Sequence, residues 1–67
     1  MAKKDANTYV EYSSVEHRYL VYARLDQNSE QWWIVESILT EEDALTFAED
    51  LEQDDSKRRE YIENEGY

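Results

Sequence analysis

The chain has 67 residues, 17 of them acidic against 7 basic, for a formal net charge of −10, and it contains no cysteine, no proline and a single glycine. That length allows one domain, which buries only about 60% of the surface exposed by its unfolded chain and draws roughly 3–5 kcal/mol from its own core; the missing cysteines exclude disulfides and thiolate metal sites. The charge excludes direct binding to nucleic acid or to anionic lipid, since both need Lys and Arg, no apolar stretch approaches the roughly 20 residues that span a membrane, and the two lysines of Met1-Ala2-Lys3-Lys4 have no apolar run behind them, so no signal peptide is expected.

In chain order, residues 1–7 read as a flexible tail and residues 8–67 as a single domain. Residues 8–12 (TYVEY) form a short candidate strand, with Ser13-Ser14 as a turn. Residues 17–25 (HRYLVYARL) are rich in β-branched and aromatic side chains, and residues 31–39 (QWWIVESIL) repeat that character after the polar link Asp26-Gln27-Asn28-Ser29-Glu30. Two such runs joined by five residues predict an antiparallel hairpin over about 17–39. The period then changes. Thr40 suits an N-cap, Glu41, Glu42 and Asp43 crowd the first turn where the helix dipole favours anions, and Ala44, Phe47, Ala48 and Leu51 fall on one helical face. Beyond Gln53, opposite charges four apart (Asp54 with Arg58, Asp55 with Arg59, Arg59 with Glu63) support helix to about 64, and Ile62 falls on the face of Leu51. This stretch is one long helix or two short ones; Asp54-Asp55-Ser56 offers a second N-cap, and two segments are preferred, with Gly66 as terminator. The expected fold is α+β: a small antiparallel sheet of two or three strands followed by one long or two short C-terminal helices over about 41–64.

Alternation along the strands sorts their side chains. Tyr19, Val21, Ala23 and Leu25, with Trp33, Val35, Ser37 and Leu39, are assigned to the core side against the helix. The opposite face then holds Leu20, Tyr22, Trp32 and Ile34, edged by Arg18, Arg24 and Glu36, and it is too apolar for a solvated sheet. Three occupants compete for it: the C-terminal segment with Tyr61 and Ile62, a second copy of the chain, or another protein. A register slip of one residue would exchange the two faces.

Catalytic chemistry is poorly served. His17 is the only histidine and reads as a half-exposed residue at a strand edge. Asp26, Asn28 and Glu30 match the first ligands of a calcium loop, but Gln31 stands where that loop needs Gly and Ser37 where it needs the bidentate Glu, so a turn is the better reading. Glycine-dependent oxyanion and phosphate loops are absent. Neither enzymatic activity nor a cofactor is expected.

The remaining signal is acidity. Between Arg24 and Lys57 there is no basic residue, while acids recur throughout. Glu42, Glu49, Asp50 and Asp54 lie off the apolar face of the helix, and Glu36 extends the field. These five are the candidate contacts to a basic protein partner; Leu20, Tyr22, Trp32 and Ile34 are the candidate partner or homodimer face. The expected function is a cytoplasmic, non-enzymatic protein-binding module, an inhibitor of viral type that mimics nucleic-acid charge and blocks a nucleic-acid-binding protein. The alternative is a small homo-oligomeric structural or accessory protein whose acidity only keeps it dissolved.

Overall fold

The computed structural model describes residues 6–65. Three strands, β1 (Thr8–Ser13), β2 (Arg18–Ala23) and β3 (Trp33–Ile38), form an antiparallel sheet in that order, and two helices follow, α1 (Glu41–Gln53) and α2 (Asp55–Glu65). The architecture is therefore α+β, with the third strand supplied by the short N-terminal run. Residues 1–5 of the expected tail, and the expected terminator Gly66, lie outside the described residues. Asn7 is already anchored: its N–H donates to the Glu52 carboxylate on α1 at 2.8 Å, and its side-chain oxygen accepts from Arg24 Nε at 3.1 Å.

The link between β1 and β2 is the turn of residues 14–17. His17 N–H donates to Ser13 O at 2.8 Å, and His17 adopts φ 57°, a left-handed conformation that histidine tolerates better than most side chains. His17 is thus an exposed turn residue, where a place at a strand edge was expected. The link from β2 to β3 is longer than the expected five residues. Arg24 N–H donates to Asn7 O on the β1 side, and the carbonyls of Arg24 and Leu25 accept from Arg58, so the chain past Ala23 is held by Asn7 and Arg58 rather than by β3. Within the link, Asp26 Oδ1 accepts from Asn28 N at 2.8 Å and closes an Asx turn.

A register shift between Val21 and Tyr22 marks a bulge in β3: Val21 pairs with Glu36 while Tyr22 pairs with Ile34, leaving Val35 extra. The bulge corrects the expected alternation. Trp33 and Val35 face the helices as predicted, but beyond the bulge the parity flips. Ile38, opposite Tyr19, joins the core side, and Ser37 is opposite Leu20 on the other face. Leu39 is 66% exposed, and Leu25, past the end of β2, is 40% exposed.

The core is small. Val21, Ala23 and Val35 from the sheet meet Ala44, Ala48 and Leu51 from α1 and Ile62 from α2, with Val10, Tyr19, Trp33, Ile38, Phe47 and Tyr61 around them. Phe47 and Tyr61 meet edge to face at 5.4 Å. Thr40 caps α1, its Oγ1 accepting from Asp43 N at 3.4 Å. The chain breaks at Asp54, whose carboxylate accepts from Lys57 N at 3.0 Å and caps α2. Two helices are thus present, with the second N-cap where the sequence offered one. Because α2 returns Ile62 and Tyr61 to the core side, the C-terminal segment does not cover the outer face of the sheet.

Arg58 joins these parts. It is 2% exposed, and its guanidinium donates to Arg24 O at 2.9 Å, Leu51 O at 2.9 Å, Glu52 O at 3.3 Å and Leu25 O at 3.1 Å, with Asp55 as its ion-pair partner at 2.6 Å. A cation at the last carbonyls of α1 also meets the negative end of that helix dipole.

Candidate protein-binding surfaces

The acidic candidates divide by element. With Ala44, Ala48 and Leu51 buried, helical periodicity puts Glu42 and Glu49 on the outward side of α1, two turns and about 10 Å apart. Asp43 and Asp50 form a parallel row beside them. All four side chains are exposed, and none makes an ion pair or a side-chain hydrogen bond among the described residues. Asp54 is exposed at the junction of the helices, where its carboxylate is already engaged in capping α2. Glu36 stands apart from this group: it is half-buried on β3, and its Oε1 accepts from the N–H of the next residue, Ser37, at 3.0 Å. The structure thus brings Glu42, Glu49 and Asp50 together, with Asp54 at the end of their helix, and places Glu36 on the sheet. Asp43 belongs to the rows as well; its spacing of seven from Asp50 was the signal in the sequence.

The second candidate surface is the sheet face away from the helices. Leu20 is 7% exposed yet lies outside the core cluster, shielded by its neighbours on the sheet. Tyr22, Trp32 and Ile34 are half-buried. Tyr9, which pairs with Tyr22 across β1 and β2, completes the group. The two phenol rings stack at 4.5 Å with an interplanar angle of 1°, Trp32 meets Tyr9 edge-on at 4.7 Å, and the Arg24 guanidinium sits 4.7 Å over the Trp32 ring. Tyr9 was placed on a strand by the sequence, but only the β1–β2 register sets it against Tyr22. Burial raises the pKa of both phenols, and neighbouring groups add to it: Tyr22 and Glu11 for Tyr9, Glu11 and Glu16 for Tyr22. No described element lies over this face.

Among the described residues no cluster of three or more His, Asp or Glu side chains is arranged to hold a metal ion, and no helix is long and apolar enough to cross a membrane. Compared with protein-family models, curated proteins and solved structures, the chain matches none of them.

Proposed function

We propose that this chain is a non-enzymatic protein-binding module that uses the outward acidic rows of α1 to occupy a positively charged groove, and so inhibits a nucleic-acid-binding protein by charge mimicry in the cytoplasm of the producing or infected cell. The observation that carries this reading is the freedom of Glu42, Glu49 and Asp50. These carboxylates are exposed on a rigid helix and are not neutralised by any ion pair among the described residues. A fixed row of carboxylates at regular spacing resembles what a phosphate backbone presents to a basic partner. Asp54, at the helix junction, and Glu36, on the sheet, add to the field at its margins.

The test is to capture basic proteins on the immobilised chain and challenge each with duplex DNA or RNA. Mimicry predicts release by the nucleic acid, steep weakening with salt and loss of capture by the triple reversal of Glu42, Glu49 and Asp50 to Lys. A ternary complex with undiminished affinities would overturn it.

A second reading rests on a separate observation, the uncovered aromatic face. The chain is then a homo-oligomeric accessory protein in which two copies pack through Leu20, Tyr22, Trp32 and Ile34. Sedimentation should show a dimer that Trp32→Glu converts to monomer.

A further inference from the structure

A three-stranded open sheet has two edges, each a row of backbone groups ready to pair with another strand. Which amides face those edges follows from the ladder. Arg24 N–H donates to Asn7 O, so even-numbered residues of β2 direct their amides toward β1 and odd-numbered ones toward β3. On β1, Thr8 is the residue opposite Ala23, and its amide therefore faces away from β2. On β3, Glu36 is opposite Val21 and Ile38 opposite Tyr19, which leaves the amide of Ser37 facing away from the sheet.

On each edge one of the outward amides is taken by a carboxylate. Glu52, reaching from α1, accepts from Thr8 N at 3.0 Å and from the Thr8 hydroxyl at 3.0 Å. Glu36 accepts from Ser37 N at 3.0 Å. The two cases arise from unrelated parts of the chain, a helix side chain in one and a residue of the strand itself in the other. The bulge at Val35 sits beside Glu36 and further interrupts the β3 edge.

We propose that Glu36 and Glu52 are edge guards, and that on β3, where the guard is held by its own strand, loss of the Glu36 carboxylate opens the edge to antiparallel pairing with β3 of a second copy. A carboxylate on an edge amide removes a donor that an incoming strand needs, and it places a charge where that strand would lie. In a chain of net charge −10, a second copy brings its own Glu36 to the same edge, so the repulsion is mutual. This use of acidic residues is separate from any contact made by α1.

The experiment compares the native chain with Glu36→Ala and Glu36→Gln, each carrying Trp32→Glu so that packing through the aromatic face does not contribute. Sedimentation over a concentration series reads association, and hydrogen exchange reads the Ser37 amide. Opening the edge should strengthen self-association of the Ala variant by about tenfold or more, the range expected when one charge-assisted hydrogen bond no longer opposes pairing. Its Ser37 amide should exchange quickly when dilute and slowly when concentrated. The Gln variant keeps an oxygen acceptor but loses the charge, and should associate more weakly than Ala, with less concentration dependence of Ser37 exchange. An Ala variant that keeps its far-ultraviolet circular dichroism but associates no more than the native chain overturns the proposal. So does association that leaves Ser37 exchange unchanged, because the contact then lies elsewhere, or a Gln variant that associates as strongly as Ala.

Discussion

Arg58 is the residue whose role is least visible in its type. On a helical wheel it is one of three consecutive basic and polar positions with an acid four residues before it, the signature of a solvated ion pair. In the fold it is buried, and all of its donor groups find acceptors on α1, on the two residues that follow β2 and on Asp55. Arg58→Ala leaves several buried carbonyls without a donor, at about 1–3 kcal/mol for each that stays unsatisfied, together comparable to the stability of so small a domain, and a urea titration should find it largely unfolded. Arg58→Lys should recover only part of the loss, since an ammonium offers three donors and no planar fork. The paired phenols predict a pH dependence. Tyr9 and Tyr22 titrate above the ordinary value of 10.0 in the folded chain, so the folded state holds these protons more tightly than the unfolded one. Their contribution is fully present below pH 10 and is lost as pH climbs through the raised values. The urea midpoint should fall above about pH 10, and Tyr22→Phe should flatten that fall.

Among the elements, α2 has the weakest claim to independent stability. It is short, strongly polar, and joined to the core mainly by Ile62, Tyr61 and Arg58. Its start depends on Asp54, whose carboxylate satisfies Lys57 N–H. Asp54→Ala should cost about 1 kcal/mol, with hydrogen exchange accelerating first in residues 55–60. Asp54→Ser should restore most of the protection. The same measurement on α1 has a different expectation: Leu51, fully buried, should cost about 2–5 kcal/mol when replaced by Ala, and the whole domain should unfold with it as one cooperative unit.

For the whole molecule the deciding quantity is the separation of its charge. The helical side carries the unpaired rows of α1, whereas the outer sheet face carries the stacked tyrosines, Trp32 and Arg24. Repulsion among exposed acids opposes folding and is screened by salt. The urea midpoint should therefore rise between low and physiological ionic strength. Reversal of Glu42, Glu49 and Asp50 to Lys should leave the fold intact, because surface changes cost within about 0.5 kcal/mol each, and should reduce that salt dependence. A midpoint indifferent to salt in the native chain would mean that the acidic rows exert no appreciable mutual repulsion.

The sequence alone determined the order of elements, the Thr40 cap and the apolar stripe of α1, and it offered the break at Asp54 beside a continuous helix. These are local matters: periodicity and capping chemistry act within a few residues. It also separated Leu20, Tyr22, Trp32 and Ile34 from Val21, Ala23 and Val35, since strand alternation is local too. Only the tertiary structure decided where alternation fails, because the bulge at Val35 arises from pairing with β2 and moves Ile38 inward and Ser37 outward. It also decided which charges are not surface charges. Glu52, Glu36 and Arg58 share residue types with the solvated acids and bases around them. What distinguishes them is an unsatisfied amide or carbonyl within reach, and such a partner exists only once strands and helices from distant parts of the chain have been brought together.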